Sequence, residues 1–276
     1  MSTGTCAVSC AQLPLAVGER EHNLSLAAEA VLSLPSGIVI LPELLNSGYC
    51  FRDAEESRSL AEPPDGPSVT TLTELAARSG STLVTSLAIL REDAVYNVAV
   101  VVQASGIIAS YDKAHLWGRE SEHFVPGSTP PVLVDTDFGK LGVMVCYDLE
   151  FPEFTRMTAL AGADLIVAPV NWPLEGRPDG ERPVEQVVVQ AAARTSHVPI
   201  AVCDRTAAER MDEEIGSDWV GGSIIVGADG YPLTQPVLGR PGLISAELDL
   251  AATRDKALGP FNDTQADRRP ELYHLG

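Results

Sequence analysis

The stretch GVMVCYDLEFPE, residues 142–153, places a cysteine where the chain must turn. The apolar run Gly142–Val145 reads as the end of a strand, and Pro152 with the pattern of residues 153–161 starts a helix. A thiol at such a corner has two readings. Cys is often no more than a small buried hydrophobe. At a strand-to-helix turn it also meets backbone N–H groups that stabilise a thiolate and, later, an oxyanion. Two further residues stand just past apolar strands: Glu43 after Ile38–Leu41 and Pro42, and Lys113 after Ile107–Tyr111. Layered α/β folds gather their chemistry at the carboxyl ends of strands. A thiol is mostly protonated at neutral pH and needs a base or a positive field. A buried Glu43 would have its pKa raised toward that of a general base. A buried Lys113 ammonium would stabilise charge developing on an attacked carbonyl oxygen. Together the three describe acyl transfer through a thioester. Singly, each has a plainer reading: the Glu as a solvated loop residue or cap, the Lys as a solvated charge, the Cys as packing. Spacing by itself does not make them converge.

The elements that must position these residues follow from hydrophobic periodicity. Strands are predicted at 6–13, 38–41, 83–90, 95–103, 107–111, 140–145, 165–169, 200–203, 223–226 and 243–246. Helices are predicted at 21–34, 69–79, 153–161 and 185–196. The runs 38–41, 142–145 and 165–168 do not alternate cleanly, so both faces of those strands are expected to be covered. Strands interleaved with helices imply mixed sheets flanked by helical layers. No linker, short tandem repeat or low-complexity segment divides the 276 residues, which read as one domain.

Composition excludes several classes. A net charge of −19 repels phosphate backbones, so nucleic acid is a poor partner. The acidic residues are scattered and read as a solvated surface. No apolar run reaches the length of a membrane span, and the N-terminus has neither the basic region nor the apolar segment of a signal peptide. Five cysteines, an odd number without close-paired spacing, point to reduced thiols and a cytoplasmic location. Cys6 and Cys10 fall on one strand face by parity and read as core, as does Cys203. His115 and His123 have no third partner at zinc-like spacing. The glycines of GADGYP, residues 227–232, read as a turn. Asp148, two residues past the cysteine, reads as a helix cap.

Three blocks, LPELLNSGY (41–49), YDKAHLWGRESEHFVPG (111–127) and GVMVCYDLEFPE (142–153), resemble the catalytic blocks of the nitrilase superfamily, the carbon–nitrogen hydrolases, in order and spacing. The resemblance extends over essentially the whole chain and implies a four-layer α-β-β-α sandwich. It implies a Glu–Lys–Cys triad working without metal or organic cofactor: Glu43 as general base, Lys113 on the oxyanion side and Cys146 as nucleophile. It further implies a second glutamate after the lysine, best matched by Glu120 with Glu122 as the rival. The Tyr147 backbone N–H is the implied second oxyanion donor.

By family position the pocket draws on Tyr49, Trp117, Tyr147, Asn171 and Trp172. Aromatic walls with few charges suit a small neutral or weakly polar acyl group. The blocks look closest to the amidase-like branch, which implies hydrolysis of a small amide to carboxylate and ammonia. The alternatives are an N-carbamoyl hydrolase, for which Arg177, Arg182 and Arg205 are the candidate carboxylate ligands, a nitrilase, and a non-catalytic member that binds an amide or a protein. The resemblance also implies homodimers or larger assemblies. Phe154, Met157, Leu160 and Ala161 form a stripe that could face a partner, and the tail 259–276, with Leu272, Tyr273 and Leu275, is expected to dock on a partner subunit.

Overall fold

Alternation along the apolar strands decides which face meets which layer. The computed structural model describes residues 5–210 and 216–273. In chain order the elements are β1 (Cys6–Gln12), α1 (Arg20–Ser33), β2 (Gly37–Ile40), α2 (Ala54–Leu60), α3 (Pro67–Ser79), β3 (Thr82–Arg91), β4 (Ala94–Gln103), β5 (Gly106–Asp112), α4 (Glu120–His123), β6 (Val132–Thr136) and β7 (Gly139–Val143). After a 3-10 turn at Cys146–Glu150 come α5 (Pro152–Leu160), β8 (Leu165–Pro169), α6 (Val184–Ser196), β9 (Ile200–Cys203), the short pair β10 (Glu209–Arg210) and β11 (Gly216–Ser217), β12 (Ile224–Val226) and β13 (Gly242–Leu248).

One sheet runs β13-β1-β2-β3-β4-β5 and the other β12-β9-β8-β7-β6. Each has a parallel centre, β1-β2-β3 in the first and β7-β8-β9 in the second, with antiparallel strands outside it. In the first sheet Cys6, Val8, Cys10, Ile38, Ile40, Ala99 and Val101 turn inward and pack with residues of the second sheet. The intervening residues Val39, Leu41, Val98, Val100 and Val102 pack instead with Leu24, Ala27 and Val31 of α1 and with Leu72 and Leu75 of α3. Helices α5 and α6 cover the second sheet through Ala159, Val189 and Ala193. The result is the α-β-β-α sandwich, with the central strands buried on both faces and Cys6 and Cys10 on the inner face that parity requires.

Several elements escaped periodicity. Helix α2 buries only Ser57 and carries no apolar stripe; the Asp53 side chain starts it by accepting from the Glu56 N–H at 2.9 Å. Strand β6 is half-exposed along its length and, among the described residues, pairs with β7 alone, as an edge does. The predicted strand over 140–145 stops at Val143, because the chain already bends toward the 3-10 turn, and α5 begins one residue earlier than expected, on Pro152. The GADGYP segment folds as a turn, with the Gly227 N–H donating to the Tyr231 carbonyl at 2.9 Å.

Gly142 lies in β7, four residues before the corner. A Cβ there would stand 2.2 Å from Thr158 Cγ2 and 3.3 Å from Ala163 Cβ. The Thr158 hydroxyl is tied to the Phe154 carbonyl at 2.8 Å, so that side chain has little room to rotate away. Gly142→Val is therefore expected to push α5 off the sheet and destabilise the fold by about 2 kcal/mol or more. Urea unfolding of the variant beside wild type measures it.

Candidate active site

Four segments end at one point between the sheets. Glu43 follows β2, Lys113 follows β5, Glu120 opens α4, and Cys146 opens the 3-10 turn after β7. All four side chains are buried, Glu43 completely. The Lys113 Nζ donates to Glu43 Oε1 at 2.8 Å and to both oxygens of Glu120 at 2.8 Å. Glu120 is held in turn by the Trp117 N–H, which donates to its Oε2 at 2.7 Å. Glu122, the rival second glutamate, is exposed and pairs with Arg119 at 2.9 Å.

Periodicity did not single out Asn97. From β4 its Nδ2 donates to Glu43 Oε1 at 2.7 Å, and its carbonyl accepts from the Lys113 N–H at 2.9 Å. The signal was present: Asn97 interrupts the run AVYNVAVVV, and an amide buried among β-branched residues needs partners. Among the described residues Glu43 Oε2 has no hydrogen-bond partner.

Electrostatics follow from burial. Desolvation pushes the Glu43 carboxyl up to about 7, with Lys113 opposing and Glu120 reinforcing the rise. Burial works against the Lys113 charge, but Glu120 and Glu43 outweigh it and hold the ammonium well above its ordinary range. The Cys146 thiol is raised by burial first and by the Glu43 charge second, with Lys113 opposing. The resting nucleophile candidate is thus a neutral thiol beside a carboxyl poised to exchange a proton near neutrality.

The corner itself is strained and pinned. Cys146 has φ of +47°, a left-handed conformation that a non-glycine residue adopts only when its surroundings impose it. Asp148 imposes it. Its Oδ2 accepts from the Val145 N–H at 3.0 Å and from the Tyr111 hydroxyl at 2.9 Å. Its Oδ1 accepts from the His115 N–H at 3.1 Å and meets His115 Nδ1 at 2.8 Å. The capping role read from sequence is present, and the same carboxylate also joins the corner to the segment that carries Lys113. His115 stacks on Phe151, with ring centroids 3.7 Å apart.

The pocket residues divide into two neighbouring hollows. One, of about 330 Å³, is lined by Cys146, Trp117, Tyr147 and Trp172 among others. The second, of about 250 Å³, is lined by Tyr49, Glu120 and Trp219 and shares Trp117 and Pro173 with the first. The Asn171 carbonyl accepts from the Cys146 thiol at 3.7 Å, while both amide atoms of its buried side chain lack partners among the described residues. The Tyr49 hydroxyl is likewise buried, near Glu120, and makes no hydrogen bond of good geometry among the described residues. Asp204 is a buried group that the sequence did not flag: it accepts from the Trp172, Arg205 and Gly222 N–H groups at 3.1, 2.8 and 2.8 Å, and so fixes the backbone of the Trp172 wall. Burial pushes its carboxyl up to about 7 against those hydrogen bonds.

None of the three candidate arginines lines the hollow at Cys146. Arg205 is fully buried and bound to Glu209 at 2.5 Å and to the Leu15 carbonyl, while Glu209 accepts from the Tyr49 and Cys50 N–H groups at 3.0 and 2.9 Å. Arg182 is exposed and donates to Gln190 at 3.0 Å, and Arg177 is exposed on the loop after β8.

Similarity to known proteins accords with this geometry. The chain is 35% identical over 241 residues to a nitrilase of Pyrococcus abyssi, covering 86% of each chain. It is 29% identical to an N-carbamoylputrescine amidase of Solanum lycopersicum, covering 87% of this chain and 83% of the other. Its structure superposes on an amidase from Nesterenkonia sp. with a TM-score of 0.78 at 26% identity, covering 99% of this chain and 96% of the other. The family profile described as carbon–nitrogen hydrolase matches residues 7–257, and the chain therefore belongs to the carbon–nitrogen hydrolases, the nitrilase superfamily, on its amidase-like side.

Proposed function

We propose that the protein hydrolyses a small amide to carboxylate and ammonia through a thioester on Cys146. The observation that carries this reading is the buried Glu43 carboxyl, raised to about 7 and with Oε2 unpartnered among the described residues, whose charge acts on the neutral Cys146 thiol. As the sulfur attacks the amide carbon, Glu43 takes the thiol proton. The oxyanion that forms is met by the Lys113 ammonium and the Tyr147 N–H. Collapse of the tetrahedral intermediate breaks the C–N bond, and the leaving nitrogen receives the proton from Glu43. Water then attacks the thioester, again giving its proton to Glu43, and the carboxylate product leaves with Cys146 restored. Glu120 orients Lys113 through two 2.8 Å contacts. No metal or organic cofactor is needed for any step.

The engagement of Arg205 with Glu209 disfavours a carbamoyl amino acid, whose carboxylate would need a free cation in the pocket. An ammonia-release screen over amides, nitriles and N-carbamoyl amino acids tests the reading. Turnover of nitriles without amides would replace it with a nitrilase. No turnover, together with uniformly slow alkylation of all thiols, would leave a binding module.

The assembly we propose is a cytoplasmic homodimer of a single-domain chain. Met157 and Leu160 of the α5 stripe are 41% and 38% exposed, whereas Phe154 turns inward onto His115 at 4.5 Å between centroids. The tail crosses α5 of its own subunit, where Gln265 donates to the Ala159 carbonyl at 3.2 Å. It leaves Leu272 and Tyr273 exposed for a partner; Leu275 lies outside the described residues. Among the described residues no helix is long and apolar enough to cross a membrane. A monomeric mass by light scattering at micromolar concentration would rule out the dimer.

Cys146→Ala is expected to abolish ammonia release with little change in thermal unfolding, and Cys146→Ser to be nearly as inactive. Residual turnover within about tenfold of wild type would remove Cys146 as nucleophile. Lys113→Ala and Glu43→Gln should each lower kcat about a thousandfold.

The general base must be ionised, so kcat/KM should climb with pH and level off above about 7, the Glu43 value; Glu43→Gln should lose that limb. Stability carries the opposite sign. The folded pKa lies above the ordinary 4.5, so the protonated form is favoured in the native state. Wild type should therefore lose stability relative to Glu43→Gln as pH rises from about 4.5 to about 7, which urea unfolding across that range would read.

A further inference from the structure

A second buried ion pair lies outside the catalytic cluster, and the reaction as described does not use it. The Arg205 and Glu209 side chains are 0% and 1% exposed and meet at 2.5 Å, with Arg205 also donating to the Leu15 carbonyl. Two charges taken out of water are costly unless their remaining hydrogen-bonding capacity is filled. Glu209 fills its own from two successive backbone groups: the Tyr49 and Cys50 N–H donate to its Oε2 at 3.0 and 2.9 Å. Among the described residues those two N–H groups have no acceptor except Glu209. Gly48 makes the approach possible. Its φ is +76°, and a Cβ there would stand 2.6 Å from Glu209 Oε1. Glu209 opens the short pair β10–β11, so this hairpin is clamped onto the loop that follows Glu43.

From that anchor Tyr49 reaches the catalytic cluster. Its hydroxyl is buried, and after desolvation the charges that raise the phenol are those of Glu120, Glu43 and Cys146. The ring meets Trp219 edge to face at 5.2 Å between centroids, and the Arg205 guanidinium lies 5.2 Å over that same Trp219 ring. The ion pair therefore holds Tyr49 twice, by its backbone through Glu209 and by its ring through Arg205 and Trp219. Tyr49, Trp219 and Glu120 line one hollow, and Glu43 does not. The Tyr49 side chain thus stands between that hollow and the base. Burial is the largest cause of the raised Glu43 carboxyl; Lys113 and the neutral Asn97 amide oppose it and Glu120 adds to it. Cys50, beside Glu209, adds no charge, since burial and then Glu209 push its thiol up to about 12.

We propose that Glu209, held by Arg205, is a positioning residue for the reaction: it fixes the backbone from which Tyr49 closes the Glu43–Lys113–Glu120 cluster to water. This rests on the amide-hydrolase reading, in which Glu43 is the base. Two double variants test it without leaving a buried charge unpaired. Arg205→Met with Glu209→Leu removes both charges and the acceptor for Tyr49 and Cys50. Arg205→Met with Glu209→Gln removes both charges and keeps an acceptor oxygen. With both folded by circular dichroism, the rising limb of kcat/KM should move from about 7 toward the ordinary 4.5 in the first and stay near the wild-type position in the second. A limb unmoved in the first, or moved equally in both, would overturn the proposal. Should the first not fold, Glu209→Asp keeps the charge for Arg205 but draws it back from the two N–H groups. Its limb should also fall, and an unmoved limb would overturn the proposal equally. Urea unfolding of each variant with and without Glu43→Gln reads the same carboxyl without substrate. The stability lost relative to Glu43→Gln between about 4.5 and about 7 in wild type should be lost over a narrower range, ending below 7, in the first double variant. That narrowing without ammonia release by wild type would sink amide hydrolysis and keep the positioning role. Ammonia release by wild type, with limb and range unchanged in every variant, would do the reverse.

Discussion

A lysine ammonium with no exposed side-chain surface, set between two carboxylates, is the constraint from which the site follows. Taking a charge out of water costs several kcal/mol unless partners replace the lost hydration. Lys113 finds them in Glu43 and Glu120, but the exchange is unequal: one cation faces two anions in the same dry space. Burial lifts the Glu43 carboxyl to about 7 against the pull of Lys113, with Glu120 adding to the rise, and burial followed by the Glu43 charge keeps the Cys146 thiol neutral. Burial and charge count together turn an ordinary carboxylate into a group that trades protons near neutral pH. In the proposed reaction, charge separation between Glu43 and Cys146 waits for a substrate to receive it.

Such a cluster requires a scaffold that brings separate loops together and keeps water out. Two sheets packed face to face provide it, because the strands that launch Glu43, Lys113 and Cys146 all end on the same side of the sandwich. Asp148 supplies the remaining rigidity. By accepting from Val145, Tyr111 and His115 it links the corner after β7 in one sheet to the segment after β5 in the other. The left-handed Cys146 backbone, a strain of about 1–3 kcal/mol, is held by those bonds.

Much of this was legible in the residues. The continuous apolar runs at 38–41, 142–145 and 165–168 announced strands covered on both faces, and Glu43, Lys113 and Cys146 all stood past strand ends, though only the resemblance of the three blocks joined them into one expected site. Glu120 could be placed only beside its rival Glu122, since two glutamates two residues apart differ by which side of a short turn they occupy; burial against Lys113 chooses between them. Asn97 and Asp204 were passed over because each sits in or beside an apolar strand, where periodicity records burial but not hydrogen-bond demand. Helix α2 and edge strand β6 bury too little to leave a pattern. Arg205 misled for the complementary reason: a cation in a loop reads as available, and only its neighbours reveal that Glu209 and Leu15 already hold it.

The Asp148 linkage bears on how the molecule must fold. Lys113 meets Glu43 across 70 residues of chain, and Asp148 reaches back 33 residues to His115. Contacts of such long sequence separation form only after the loops between them have closed. Neither sheet alone owns a reaction centre, so a half-folded chain holds isolated acids and a relaxed thiol rather than a weaker enzyme. The centre is complete only when the two sheets have docked, so the long loops must close before Glu43, Lys113 and Cys146 meet.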